Sequence, residues 1–372
     1  GNLPDPWLDW YRQSFGEELD MNSAIFEDLV VIHSELDGEN ASATAQYSVS
    51  APLPRAILKH GRSMPVFPPA RSGREMNCLE TDMDRASVVD HPRSSQPRAP
   101  QSPAAERSGS CAICQSTISR WRSKKTSEGT FTIDRCRACG YAFVNPRPTL
   151  DFLMQFYATS GHRRDAPDAG ESLDSVMQSE SAFPNATIDA HRMIRTLRAL
   201  LPESAGRRPA LLDVGCGYGF FSREAATAGF EVSAIELASA ERAIARSIAG
   251  IDAANVPFEN FEAPPGTYSA ILMSQILEHA LDVHAWLAKA HELLHNGGIV
   301  AIALPNFGSL IRRILQDKDP FVTPPAHLNY FDHRNLGLLL SRGGFTVRRV
   351  QFVTRIPPRA LHRRFDRFGS PV

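Results

Sequence analysis

Two residue patterns in this sequence could do chemistry: a glycine-rich turn flanked by acids, and two pairs of cysteines. The turn runs from Gly215 to Gly219 as G-C-G-Y-G and follows the apolar run Ala210–Val214, which contains Asp213. A glycine has no Cβ, so it bends sharply and lets a ligand approach the backbone closely. A helix after the turn would aim its N-terminus at the same spot. The stretch therefore predicts a strand, a turn and a helix that together hold a small ligand.

The acids on either side of the turn narrow the class of ligand. Residues 231–236 read as a second strand, and Glu236 at its end could accept hydrogen bonds from two ribose hydroxyls. Asp213 would repel a pyrophosphate but suits an ammonium group. Phe220 also departs from the small residues of a dinucleotide-binding fingerprint. S-adenosylmethionine has an amino-acid tail, an adenosine and no phosphate, so it fits both acids. The alternative is an α/β domain with a tight glycine turn and no ligand.

The motif D-V-G-C-G-Y-G resembles the first motif of the class I S-adenosylmethionine-dependent methyltransferases. Later landmarks are similar to that superfamily: L-E-H at 277–279, G-G at 297–298 and P-N at 305–306. The resemblance implies an α/β fold with a Rossmann-like sheet, and it places the ligand beyond the carboxyl ends of the strands. It also implies that an acid or amide near the adenine is Asn260 or Glu259. The cofactor-binding residues expected on this basis are Asp213, Gly215, Cys216, Gly217, Gly219, Glu236, Asn260, Ser274 and Gln275.

The cysteine pairs predict a metal site. Cys111 and Cys114 form one C-x-x-C knuckle, and Cys136 and Cys139 form the other. Two such knuckles supply the four thiolates of a tetrahedral structural zinc site, and a closed set of four leaves no position for a substrate. Strands are expected between and after the knuckles, so the unit reads as a zinc ribbon. Redox dithiols are the alternative. Paired thiols of this kind also favour a reducing compartment, and we expect a cytoplasmic protein.

The segment after the ribbon sharpens the resemblance. Tyr141-Ala-Phe-Val-Asn-Pro-Arg-Pro-Thr149 is similar to a bacterial methyltransferase group in which a ribbon ending in C-x-x-C-G precedes the catalytic domain. That group includes deoxysugar C-methyltransferases. The resemblance implies O- or C-methylation of a small molecule such as a sugar or a sugar nucleotide. The basic ribbon leaves two alternatives open: an RNA methyltransferase that reads RNA with the ribbon, and a non-catalytic module that only binds S-adenosylmethionine. The net charge of −1 argues against a nucleic-acid partner.

Methyl transfer is a displacement at a carbon that the sulfonium already activates, so the enzyme mainly has to position the reactants. A hydroxyl or carbon-acid acceptor also needs a base, which is worth about 10²–10⁴ in rate. His279, in the L-E-H segment, and His327, in the loop after the fifth strand, are the candidate catalytic residues. For each of them the alternative is a structural hydrogen bond.

Length and composition set the domain organisation. The chain has 372 residues, 42% of them hydrophobic, which is enough for a sizeable core and more than one unit. We expect a small four-cysteine zinc ribbon and a catalytic α/β domain behind a disordered N-terminal extension, with a polar loop over 159–183, a weak third strand at Val256–Phe258 and no seventh strand near the C-terminus. No apolar run is long enough to span a membrane. The predicted divisions are 1–60 unassigned, 61–110 disordered linker, 111–148 zinc ribbon, 149–354 catalytic domain and 355–372 basic tail.

Overall fold

The computed structural model describes residues 27–32, 35–36, 46–49, 107–159, 172–182, 184–202 and 207–354. The predicted linker over 61–110 falls outside these ranges except for its last four residues, and the predicted basic tail over 355–372 falls outside them entirely. Strands and helices are numbered below in chain order. Among the described helices, none combines the length and the apolarity needed to cross a bilayer.

In the described part of the chain, the central sheet has seven strands. Their order across the sheet is Gln46–Val49 (β3), Arg349–Thr354 (β13), Glu27–Ile32 (β1), Leu294–Pro305 (β10), Tyr268–Ser274 (β9), Ala210–Val214 (β7) and Glu231–Ile235 (β8). Its parallel half confirms the predicted α/β architecture, because neighbouring strands pair in parallel and helices connect them. Leu211, Leu212 and the strand β9 residues Ile271 and Leu272 are fully buried, as a strand covered on both faces requires. The strands of this half are β7 Ala210–Val214, β8 Glu231–Ile235, β9 Tyr268–Ser274 and β10 Leu294–Pro305.

The other half of the sheet corrects the view of residues 1–60 as an unassigned extension. Strand β1 Glu27–Ile32 lies between β10 and β13 Arg349–Thr354 and is antiparallel to both. Strand β3 Gln46–Val49 pairs in parallel with β13 at the sheet edge. The sequence predicts no seventh strand near the C-terminus, and the antiparallel strand β1 comes from the N-terminal segment instead. A second, two-stranded sheet joins β2 Glu35–Leu36 to β12 Phe345–Thr346.

The cysteine pairs belong to a small sheet of four strands. Their order across the sheet is Asn329–Tyr330 (β11), Ala142–Val144 (β6), Gly129–Cys136 (β5) and Ile118–Thr126 (β4). Three of its strands are β4 Ile118–Thr126, β5 Gly129–Cys136 and β6 Ala142–Val144, and the fourth is β11 Asn329–Tyr330 from the catalytic domain. Cys111, Ile113 and Tyr141 are fully buried in the same hydrophobic core as Leu336 and Leu339. The ribbon and the catalytic domain therefore share one core.

Two segments differ from the sequence prediction. The polar segment 159–183 contains a helix, α2 Leu173–Ala182, which contacts α3 through Val176 and its neighbours. Val256–Phe258 is not a strand: one bridge pairs Ile235 with Ala254, and a short 3₁₀ helix follows over Phe258–Asn260. The long strand β10 carries a register shift between Leu294 and Ile299. The remaining helices are α1 Leu150–Thr159, α3 Asn185–Leu200, α4 Phe220–Thr227, α5 Ser239–Ala249, α6 Val283–Leu293, α7 Leu310–Leu315 and α8 His333–Arg342.

Candidate functional site

The three glycines of the turn after β7 all have left-handed backbone, with φ of 69° at Gly215, 52° at Gly217 and 83° at Gly219. A Cβ on Gly215 would lie 2.8 Å from Ile276 Cδ1, and one on Gly219 would lie 3.1 Å from Ala245 Cα. A Cβ on Gly217 would meet nothing within 4 Å. Two glycines are thus required by packing, and the third faces open space at the N-terminus of α4. That space is where the sequence predicts a ligand.

Asp213 is buried, with 1% of its surface exposed, and its carboxylate accepts a hydrogen bond from Ser222 Oγ at 2.6 Å. Burial raises its pKa to about 7, the Ser222 hydroxyl opposes that rise, and the charge of Glu236 adds to it. Ser222 has no motif of its own, so only the fold could reveal it. The predicted contact between Asp213 and a ligand ammonium group stays a prediction; the carboxylate also ties the end of β7 to helix α4.

Glu236 follows β8 and folds back onto the turn. Its Oε2 accepts from the Gly217 amide at 3.0 Å, and its Oε1 accepts from the Ala238 amide at 2.9 Å. Two backbone donors therefore hold the carboxylate in place beside the open face of Gly217. A carboxylate oxygen offers more than one acceptor site, so the predicted ribose contact is compatible with these bonds.

The other predicted cofactor-binding residues lie around the same end of the sheet. Ser274 ends β9, and Gln275 has the left-handed φ of 55° that is uncommon outside glycine and concentrates at functional sites. The buried Cys216 donates its amide to the Ile235 carbonyl at 3.0 Å. Glu259 accepts from Trp286 Nε1 at 2.6 Å, and both Glu259 and Asn260 are exposed, so the predicted contact of either residue with an adenine stays a prediction.

The two predicted catalytic histidines lie together. Their rings are 4.9 Å apart, centroid to centroid, at 82°. His279 ends the 3₁₀ turn Leu277–His279, and its Nδ1 lies 2.9 Å from the Ala326 carbonyl and 3.1 Å from the Tyr157 hydroxyl. His327 Nδ1 lies 2.7 Å from the Phe321 carbonyl. A carbonyl only accepts, so each ring carries its proton on Nδ1 and its lone pair on Nε2.

Glu278, the middle residue of the L-E-H segment, completes this cluster. One ligand-capable atom from each of Glu278, His279 and His327 lies within 4.8 Å of the others. Glu278 is 2% exposed, and a cavity of about 20 Å³ lies beside it and His327. Tyr157 also joins the site from helix α1, and its pKa is raised by burial and then by the charge of Glu278. The arrangement can accept a proton, and its two imidazoles and one carboxylate are also donors that a divalent cation takes.

The four cysteines of the ribbon converge as predicted. Cys111 Sγ lies 3.7 Å from Cys139 Sγ, Cys114 Sγ lies 3.3 Å from Cys136 Sγ, and all four sulfurs lie within 4.8 Å of one another. Zinc–sulfur bonds of about 2.3 Å in a tetrahedron place sulfurs roughly 3.8 Å apart. The donor set therefore fits zinc in both chemistry and spacing.

Comparison with known proteins agrees with this geometry. A family described as Methyltransferase domain matches residues 186–350. A ubiquinone biosynthesis O-methyltransferase of Bordetella pertussis is 34% identical over 164 residues, covering 40% of this chain and 67% of the relative. One from Cereibacter sphaeroides is 32% identical over 117 residues, covering 30% of this chain and 46% of the relative. The chain thus spans about half the length of the first curated relatives.

Solved structures of methyltransferases overlap with part of the chain. A possible histamine N-methyltransferase of Thermotoga maritima has 20% identity and a TM-score of 0.36, over 47% of this chain and 79% of that one. A didemethyltoxoflavin N1-methyltransferase of Burkholderia thailandensis, with bound S-adenosylhomocysteine, has 19% identity and a TM-score of 0.36, over 55% and 84%. From the family match, the curated relatives and the glycine turn between parallel strands, we conclude that the chain belongs to the class I S-adenosylmethionine-dependent methyltransferases.

Proposed function

We propose that this chain transfers a methyl group from S-adenosylmethionine to an oxygen of a small-molecule acceptor. The observation that carries the proposal is the cluster of Glu278, His279 and His327 beyond the carboxyl end of β9, the strand next to the glycine turn. In a neutral imidazole that carries its proton on Nδ1, Nε2 is the atom that can accept a second proton. The names of the curated relatives, O-methyltransferases of ubiquinone biosynthesis, support oxygen as the acceptor atom.

In this mechanism the cofactor supplies an electrophilic methyl group, and the protein supplies position and a base. The open face of Gly217 and the fixed carboxylate of Glu236 hold the adenosine part. His279 takes the proton from the acceptor hydroxyl at Nε2, because its Nδ1 is held by the Ala326 carbonyl. Glu278 beside it stabilises the imidazolium that forms. His327 either shares this role or orients the acceptor.

The same three side chains could instead bind a divalent cation. Each imidazole Nδ1 is held by a backbone carbonyl, an arrangement that also orients the histidine ligands of metal sites. A cation there would lower the pKa of an acceptor hydroxyl, so that no protein base is required. Turnover that survives EDTA favours the base, whereas turnover that is lost and then restored by added Mg²⁺ or Zn²⁺ favours the cation.

For the acceptor we propose a sugar or a related metabolite, supported by the ribbon and by the Phe143-Val-Asn-Pro-Arg-Pro-Thr149 segment that the sugar methyltransferase group shares. We propose zinc in the four-cysteine site as a structural ion, and a cytoplasmic location because such a site needs reduced thiols. An RNA acceptor is the second candidate, since Arg120, Arg137, Arg313 and Arg334 line one open groove on the ribbon side.

The test is calorimetry with S-adenosylmethionine followed by turnover with tritiated cofactor against pools of sugars, phenols and RNA. We expect a binding isotherm that weakens in Glu236→Ala and label transfer to a small molecule. Unchanged affinity in Glu236→Ala contradicts the cofactor site. Binding without transfer to any pool favours a non-catalytic module, and label in RNA with an affinity that falls steeply with salt favours the second candidate.

A further inference from the structure

Arg147 belongs to the N-P-R-P segment, for which the sequence suggested no role. Its guanidinium joins the segment after the ribbon to the loop that carries His327. Nη1 donates to the Leu328 carbonyl at 2.9 Å, and Nη2 donates to Asn329 Oδ1 at 2.6 Å and to the Tyr141 hydroxyl at 3.1 Å. A planar guanidinium offers its donors in a fixed fork, so these contacts determine where Asn329 can lie.

Asn329 in turn holds the turn that carries Glu278 and His279. Its side chain is buried, and its Nδ2 lies 2.7 Å from the Ala280 carbonyl, 3.2 Å from that of Glu278 and 3.3 Å from that of Leu277. Its Oδ1 also accepts from the Tyr141 hydroxyl at 2.5 Å. With donors on the oxygen side and carbonyls on the nitrogen side, the amide has only one orientation that satisfies both.

The backbone adds a second connection between the same segments. The Leu328 amide donates to the Glu278 carbonyl at 2.8 Å, and the Val144 amide donates to the Leu328 carbonyl at 3.0 Å. A continuous series of hydrogen bonds therefore connects strand β6 of the ribbon, through Leu328 and Asn329, to the 3₁₀ turn. Leaving those carbonyls without donors inside the protein would be costly, so the turn would move if the amide were lost.

We propose that Arg147 and Asn329 are positioning residues for the methyl-acceptor site, which hold the turn Leu277–His279 in place and thereby link the ribbon to catalysis. The proposal rests on the proposed function, in which His279 or its neighbours act on the acceptor. It assigns the ribbon a part in the geometry of the reaction in addition to its own folding. A misplacement of about 1 Å in such a site lowers the rate on the order of 10²-fold.

The test compares Arg147→Lys and Asn329→Asp with two matched controls. Arg147→Lys keeps the charge but loses the fork, and Asn329→Asp keeps the acceptor oxygen but places a second oxygen against three carbonyls. The controls are Lys125→Arg, at an exposed basic residue of strand β4 in the same ribbon, and Asn296→Asp, at an exposed asparagine near the start of β10. Thermal unfolding and S-adenosylmethionine affinity are measured for all four variants.

Two readouts decide the proposal. The first is kcat: we expect a loss of about 10²-fold in both test variants, with cofactor affinity within about twofold of wild type and little change in the controls. The second is the ring ¹⁵N spectrum of His279, identified by its loss in His279→Gln. We expect the Nδ1–H tautomer in wild type and a mixture of the two tautomers in the test variants.

The two readouts separate this proposal from the proposed function. If wild type binds cofactor but methylates nothing, the function fails, and the His279 spectrum still decides whether the turn depends on Arg147. Arg147→Lys, the milder change, keeps the test open if Asn329→Asp does not fold. A folded Arg147→Lys variant with wild-type His279 spectrum and wild-type kcat overturns the proposal.

Discussion

The proposed cofactor half and the proposed acceptor half of the site are built in different ways. The cofactor half, defined as residues 210–236, is one continuous strand–turn–helix–strand unit in which Glu236 bonds back to Gly217. The acceptor half gathers side chains from helix α1, the turn after β9 and the loop before β11, and the ribbon supports it through Arg147. The first half depends on local sequence, and the second depends on contacts between distant segments. Damage to distant packing should therefore affect the acceptor half first.

The largest effect is expected from the four-cysteine site, which we propose to hold zinc. Cys139→Ser removes one of four thiolates, and structural zinc contributes on the order of 10 kcal/mol to small domains of this kind. Because the ribbon shares a core with helix α8, we expect a lower melting temperature and a loss of methyl transfer. Metal content by mass spectrometry and thermal unfolding measure this, with Cys78→Ser as the matched thiol control. A variant without bound zinc but with full stability would contradict the structural role.

The next effect separates the two halves directly. His279→Gln removes the candidate base while its neighbours stay in place, so kcat should fall about 10²–10⁴-fold. Affinity for S-adenosylmethionine should stay close to wild type, because the Nδ1 bonds of His279 run to Ala326 and Tyr157, outside residues 210–236. Single-turnover kinetics and calorimetry measure the two quantities. A loss of cofactor binding equal to the loss of rate would mean that the halves are not separate.

The buried acid of the cofactor half gives a pH dependence. The pKa of Asp213 is raised from 3.8 to about 7 in the fold. Its contribution to stability is therefore fully present below the unfolded value and is lost as pH rises through the folded value. The loss between about pH 4 and 7 is at most about 4 kcal/mol. In urea unfolding of the cofactor-free protein, the free energy of unfolding should fall as pH rises through this range. The fall should be smaller in Asp213→Asn. An equal slope in both proteins would contradict the shift.

The smallest effect concerns the open face of the turn. Gly217→Ala adds a methyl group where the protein has no atom within 4 Å, at a φ of 52°. The strain should cost on the order of 1 kcal/mol of stability, whereas a cofactor lying there should bind about tenfold more weakly or worse. Calorimetry with S-adenosylmethionine checks this. Gly250→Ala, also at positive φ with open space but outside the turn, is the matched control and should keep wild-type affinity.

Much of the fold could be predicted because its signals are local. The strand–turn–helix–strand unit over residues 210–236 follows from two short apolar runs and the three glycines between them. The helix at Leu173–Ala182 was missed because its sequence is polar and its buried face is small. The residues of strand β1 were compatible with a short helix or a strand from sequence alone, because no local feature separates the two. The pairing of β1 with β10 and β13 decides for a strand.

The sequence by itself determined the glycine turn, the acids around it and the two cysteine knuckles, because each is a short spacing that local backbone geometry converts directly into a site. Only the tertiary structure decided that Glu278 and Tyr157 join the two histidines, that Ser222 bonds to Asp213, and that Arg147 supports the turn through Asn329. Those residues are distant in the chain, and their contacts exist only after the sheet has brought their segments together. We therefore expect specificity for the proposed acceptor to depend on this second kind of contact.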